Sequence, residues 1–518
     1  MKSLVGSLPR ALVLLVWVLG FCATGQRSAA LGRAPVDPGS IQVRAAERPQ
    51  WRDPAGRLNP DAVDALELLA RADNEGLDPA DYDAIELQRA AGLLERAGVS
   101  AAESAAFDER LTSSLARYLH DLHEGRVDPR VLGFRMNAPP DGHDFVALVT
   151  AAVAEHRLAA LAEDFTPHLA IYRNLRSALA RYRLLAADDD TESVPTGPGV
   201  HPGDRYPAAQ ILKRRLEAVG DLPEDGSTSV AVPPVYAGSL VDGVTRFQRR
   251  HGLNPDGVLG PATQAALKVP LTWRVRQIEL ALERLRWLPH LEDRRFVAVN
   301  IPMFRLAAWD AARRDGLPAF QTGVIVGRAL NTRTPVFVED MRYIVFRPYW
   351  NVPSSILRHE ILPAIARQPD YLRRHDMEVV SGPGQPLRVR QRPGPANALG
   401  LVKFVFPNDD DVYMHGTPAP ALFGRARRDF SHGCVRVEDP VGLAQWALAD
   451  QPEWTRDRIL EAMNAPTSRT VALSRPIRVV LFYLTAVVTP EDGAIHFAQD
   501  IYGHDARLNQ VLTRKTSS

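Results

Sequence analysis

Cysteine is almost missing from this chain: two occur among 518 residues, Cys22 near the start and Cys434 far downstream. No Cys-x-x-Cys pairing and no His-Glu-x-x-His run is present, so neither a structural nor a catalytic zinc site has a basis in the sequence. An excess of one charge is missing too. Lys and Arg number 62 against 61 Asp and Glu, and a net charge of +1 points to no class of partner. No long basic run is interleaved with aromatics, which leaves nucleic-acid binding without support. The apolar run from Ala11 to Phe21 has no counterpart downstream and is shorter than the roughly 20 residues a membrane-spanning helix needs.

That run stands in signal-peptide order, with Lys2 and Arg10 before it and small residues around Ala23-Thr24-Gly25 and Ser28-Ala29-Ala30 after it. Residues 1–25 are expected to direct export to the periplasm, an uncleaved N-terminal anchor being the other reading. Lipid attachment at Cys22 is disfavoured by bulky Phe21, where bacterial lipoprotein signals place Gly or Ala. The exported chain keeps one thiol, Cys434, which has no internal partner for a disulfide.

With 45% apolar and 24% charged residues, the chain has material for about two to four domains with real cores. Residues 50–187 read as helical, with Val63, Leu66, Leu69 and Ala70 on one face. Further stripes run through Leu111, Leu115, Tyr118, Leu119 and Leu122, and through Ile171, Leu175, Leu179 and Tyr182. Asn59 and Asp73 punctuate helix ends, and these stripes are expected to be helix-packing core. Residues 188–205, with Asp188-Asp189-Asp190 and a Pro/Gly cluster, read as a solvated linker. Residues 206–270 carry Phe247-Gln248, Gly252-Leu253, Asp256-Gly257 and Gly260-x-x-Thr263. Asp256-Gly257 predicts a tight turn and Thr263 a helix start, both of them fold-forming.

A connecting helix through Ile278, Leu282 and Leu285 leads to β-rich sequence in residues 290–500. Strands are predicted over 296–301, 321–326, 342–347, 401–406 and 412–415, with an insertion at 354–394 of the length expected for an opening cap. A hairpin around Glu491-Asp492-Gly493 either completes the sheet or packs beside it, and 501–518 reads as a C-terminal tail. The fold class is therefore multidomain α+β.

Cys434 lies in Ser431-His432-Gly433-Cys434-Val435-Arg436, with His415-Gly416-Thr417 nineteen positions upstream. A free thiol is only a few per cent thiolate at neutral pH, so a nucleophile needs a proton acceptor. His415 ends a predicted strand and is the expected general base; His432, two residues from the thiol, is poorly placed for in-line exchange. The N–H groups of Gly433 and Cys434 are candidate oxyanion donors. Arg436 either binds a substrate carboxylate or braces the loop, and Tyr413 either bonds substrate or packs.

At these residues the chain resembles the L,D-transpeptidases, whose signature is His-Gly-x followed by Ser/Thr-His-Gly-Cys-x-Arg/Asn. The likeness extends to Tyr349-Trp350-Asn351-Val352-Pro353, Pro393-Gly394-Pro395, Asn397-x-Leu399-Gly400, Lys403-Phe404-x-Phe406-Pro407-Asn408 and Tyr483-Leu484-Thr485-Ala486. The pattern of residues 206–270 likewise resembles a small three-helix peptidoglycan-binding module, with an insertion between Gly220 and Tyr236 that leaves glycan binding and a spacer role both open. Gly416 departs from the Asp of many relatives. The resemblance implies a helical scaffold domain, the peptidoglycan-binding module, and a mostly-β catalytic domain with an inserted cap. It implies attack by Cys434 on peptidoglycan tetrapeptide stems, loss of the terminal D-Ala and 3→3 cross-linking, with Ser431, Trp350, Asn351 and Tyr413 near substrate. It implies acylation by carbapenems and no metal or organic cofactor. Water or a protein lysine as acceptor are alternatives. A cysteine endopeptidase ordinarily has its cysteine before its histidine, the reverse of the order here. A noncatalytic wall-binding scaffold would have no need of the intact histidine, glycine and cysteine set.

Overall fold

The computed structural model describes residues 49–94, 100–136, 142–188, 193–223, 234–289, 291, 294–311, 317–329, 332–382 and 384–516. The expected signal at 1–25, Asp189-Asp190 of the linker and most of the insertion after Gly220 lie outside the described residues. No described helix is long and apolar enough to cross a membrane.

The N-terminal helices start where their caps dictate. Asn59 accepts the Ala62 N–H at 2.9 Å and Pro60 takes the first position of helix Pro60–Ala70. Ser100 and Glu103 form a reciprocal capping box on helix Ala101–Glu124. The predicted stripe from Leu111 to Leu122 is buried, as are Leu175, Leu179 and Tyr182 on helix Ala170–Ala187. Val63 is a correction: it is 48% exposed, because Ala62, Ala65, Leu66 and Leu69 already complete the inward face. Asp73 sits within the short turn Ala72–Glu75 rather than at the end of the preceding helix.

Helix Leu271–Arg286 is the spine of the molecule, with Ile278, Leu280, Ala281 and Leu282 fully buried. A buried ionic cluster ties it to the N-terminal helices. Glu283 accepts the Val127 N–H at 2.9 Å and pairs with Arg286, which also reaches the Tyr172 hydroxyl and the Glu75 carbonyl. Removing one partner from such a cluster leaves an uncompensated buried charge.

Three helices, Ala209–Ala218, Ser239–Arg250 and Pro261–Leu267, form the small module. Gln248 is its hub. Its amide donates to Asp256, Val258 and Thr263 and accepts the Gly257 N–H at 2.8 Å. Gly257 has φ +68°, and a Cβ there would lie 2.9 Å from Val241 Cγ1. The sequence motif is thus a set of fold-forming contacts.

The β-rich part is a ring of strands: β1 (Phe296–Asn300), β2 (Arg305–Trp309), β3 (Phe320–Gly327) and β4 (Phe337–Phe346). A small separate sheet comprises β5 (Trp350–Asn351), β6 (Met377–Val379) and β7 (Val389–Gln391). The ring continues through β8 (Val402–Val405), β9 (Met414–His415), β10 (Asp429–Ser431), β11 (Val435–Val437) and β12 (Arg469–Phe482). The pairing order is β10-β3-β11-β9-β8-β4-β12-β1-β2, and β2 pairs back to β3, so the sheet closes on itself. In β12 the register shifts between Ala472 and Ile477, where Pro476 has no N–H to give the ladder.

The insertion folds as helical turns from Ser354 to Arg367 and the β5-β7-β6 sheet, with a core of Leu357, Ile361 and Val389. The late hairpin, β13 (Ala486–Val488) with β14 (Ile495–Phe497), stays outside the main sheet. It packs on the small module and on the spine helix: Arg250 of the module donates to Ile495 O at 2.8 Å, and Arg274 of the spine helix lies over the Phe497 ring at 4.6 Å. The expected tail at 501–518 is instead largely helix His504–Thr516, held by buried Leu508 and Leu512.

Candidate active site

β10 and β11 are separated by the turn His432-Gly433-Cys434, and the turn is locked from beneath. Gly433 has φ +111°, a conformation that L side chains rarely adopt. Its carbonyl accepts from Thr334 Oγ1 at 2.7 Å, and that buried hydroxyl accepts the Gly327 N–H at 2.9 Å. Ser431 Oγ donates to Cys434 O at 2.5 Å and accepts the Gly433 N–H at 3.2 Å. Tyr502 closes the brace, its hydroxyl donating to Gly327 O at 2.6 Å.

Register then gathers the chemistry on one face. β11 pairs in parallel with β9 so that Arg436 lies beside His415, and β8 pairs antiparallel so that Lys403 lies on its other side. Alternation carries Tyr413 and Cys434, each two positions earlier, to the same face. The Tyr413 and His415 ring centroids are 5.7 Å apart. The half-buried Cys434 sulfur donates to Asp411 O at 3.8 Å, and Tyr413 stands beside that sulfur and favours its thiolate.

His415 is buried, and its Nδ1 lies 2.6 Å from Gly416 O, so Nδ1–H donates and Nε2 is left as the proton acceptor. Burial, joined by the charges of Arg436 and Lys403, pushes its pKa down to about 3. Burial pushes the Cys434 thiol up, against the pull of Tyr413 and Lys403. At neutral pH the pair therefore rests with the proton on sulfur and a neutral imidazole.

His432 is exposed and turned to the cap, its Nε2 2.6 Å from Glu360 Oε1 in the turn Leu357–Ile361. Trp350 and Asn351 lie on β5, where the chain enters the cap. Two expectations are corrected. Ser431 is 2% exposed and spends its hydroxyl inside the turn, so it braces the turn that carries Cys434 rather than meeting substrate. The Gly433 N–H is engaged by Ser431 and is no free oxyanion donor. Sequence reasoning missed Lys403, Asp411, Thr334 and Glu360 as members of the site. Only Lys403 left a signal, a charge between the apolar positions Val402 and Phe404. Among the described residues no group of three or more His, Cys, Asp or Glu side chains could hold a metal ion.

Comparison with known proteins divides the chain in the same order. Residues 44–179 match a family described as "Scaffold domain", residues 205–267 one described as "Putative peptidoglycan binding domain", and residues 294–464 the L,D-transpeptidase catalytic domain. A curated protein of Haemophilus influenzae named "Putative L,D-transpeptidase" is 34% identical over 254 residues, 45% of this chain. The match spans about half of that relative's length, 49%.

Proposed function

From a chain that carries an L,D-transpeptidase catalytic domain beside a peptidoglycan-binding domain and a scaffold domain, we infer an exported acyltransferase of peptidoglycan acting through Cys434. The observation that carries this reading is the sharing of one sheet face by a thiol, a neutral histidine with a free Nε2, a tyrosine and an arginine. His415 Nε2 takes the thiol proton as sulfur attacks the carbonyl of the third residue of a tetrapeptide stem. The tetrahedral intermediate collapses, the C–N bond breaks, and the same proton leaves with the terminal D-Ala amine. A side-chain amine of a neighbouring stem then attacks the thioester, gives a proton to His415 and restores the thiol, leaving a 3→3 cross-link.

With the Gly433 N–H engaged, the Cys434 N–H and the Tyr413 hydroxyl are the donors left beside the nucleophile for the oxyanion. Loss of one such donor commonly costs about 3 kcal/mol of transition-state stabilisation. Export to the periplasm and acylation of Cys434 by carbapenems belong to the same proposal.

The test is intact mass of wild type and Cys434→Ala after incubation with tetrapeptide muropeptide, with chromatography of the products. The expected result is a wild-type adduct, D-Ala release and a dimeric product; a shortened stem would mark water as acceptor. Folded wild type that shows neither adduct nor D-Ala refutes the catalytic reading.

A further inference from the structure

Lys403 has no part in the scheme above, yet its setting is unusual for a lysine. It stands between the fully buried Val402 and Phe404 on β8, and register puts it beside His415 on the active-site face. Among the described residues its ammonium makes no hydrogen bond and no ion pair; what it meets is the face of the Tyr413 ring, 3.6 Å from Nζ to centroid. A lysine that only covered the sheet would carry its ammonium out to water. This one is held over the ring of Tyr413, the residue that stands beside the Cys434 sulfur.

We propose that Lys403 is a positioning residue for the nucleophile: it clamps Tyr413 by the ring face so that the phenol O–H donates to the Cys434 thiolate, and its charge favours that thiolate. The inference rests on Cys434 being the nucleophile. No bond forms to Lys403; the thiol proton still goes to His415 Nε2. A cation above a ring is attracted to the π-electrons and withdraws charge from the phenol oxygen, which makes the O–H a better donor. The charged and titratable groups facing the thiol are Lys403 from β8, Asp411 and Tyr413 from the approach to β9, His415 from β9 and Arg436 from β11. Asp411 opposes thiolate formation while Lys403 and Tyr413 assist it. Arg436 carries a second favourable charge, with Arg328 close by on its other side.

The experiment is the pH dependence of Cys434 alkylation by iodoacetamide in the mature chain, read by intact mass. It compares wild type, Lys403→Met, Lys403→Arg, Tyr413→Phe and the Met/Phe double variant, with melting temperatures recorded alongside. Lys403→Met is expected to slow alkylation about three- to tenfold at pH 7 and move the profile to higher pH. Lys403→Arg, which keeps charge and stacks on a ring, restores most of the rate, and Lys403→Met adds little in the Tyr413→Phe background. A Lys403→Met profile that superimposes on wild type overturns the proposal. So does equal loss in the Arg and Met variants, or an undiminished Met effect without the Tyr413 hydroxyl. Absence of D-Ala release by wild type would strike the transpeptidase reading instead, and leaves the alkylation comparison intact.

Discussion

Replacing His415 by Gln tests the neutral resting pair through stability rather than catalysis. The buried ring titrates near about 3 in the folded protein, whereas an unfolded chain binds that proton near the ordinary 6.5. Above pH 6.5 neither state holds the proton, and the ring costs nothing. As pH falls below 6.5 the unfolded state gains it first, so stability is lost progressively until the folded ring also protonates. At pH 5 the loss from this one group is about 2 kcal/mol, and its limit below pH 3 is about 5 kcal/mol. His504 is half-buried and pushed down to about 4, chiefly by that burial, but it is present in both proteins and cancels in their difference. Chemical unfolding at pH 7.5 and pH 5 should therefore show wild type losing about 2 kcal/mol more than His415→Gln. Equal losses, within about 0.5 kcal/mol, would refute burial of a neutral imidazole at this position. The same state predicts that activity on a donor stem has no acid limb near pH 6.5.

Gly400→Ala should cost about 2–4 kcal/mol, because φ is +65° and a Cβ would lie 2.6 Å from Thr417 N and 2.7 Å from Gly416 C. Gly416→Ala is the control: its nearest neighbour, Leu399 O, is 3.5 Å away, and thermal melts should separate the two. Glu360→Ala removes the contact between the cap and His432 in the turn that carries Cys434. Since both partners are partly exposed, global stability should move by less than about 1 kcal/mol, while amide exchange in residues 354–367 quickens; unchanged exchange would show that the pair does not hold the cap.

Motif and periodicity made the domain order legible, because caps such as Asn59 and Ser100 and stripes such as Leu111 to Leu122 are local signals. The thiol and His415 were legible for another reason: both sit in short runs whose residue types have few structural uses together. What escaped depends on pairing between distant segments. β10 and β11 are three residues each and exist because β3 and β9 lie beside them. The role of Ser431 could not be read, since its hydroxyl serves a turn whose shape follows from Gly433 and Thr334 together. The helix at His504–Thr516 was mistaken for a tail although Leu508 and Leu512 stand one turn apart.

The hairpin formed by β13 and β14 gives the molecule a mechanical property that a string of domains on tethers lacks. Because Arg250 donates to Ile495 O and the His251 ring stacks on Phe497, the module is a bracket and not a leash. Whatever it grips, it grips at a constant offset from the thiol. The module's distance from Cys434 is set by packing and not by the reach of a swinging arm.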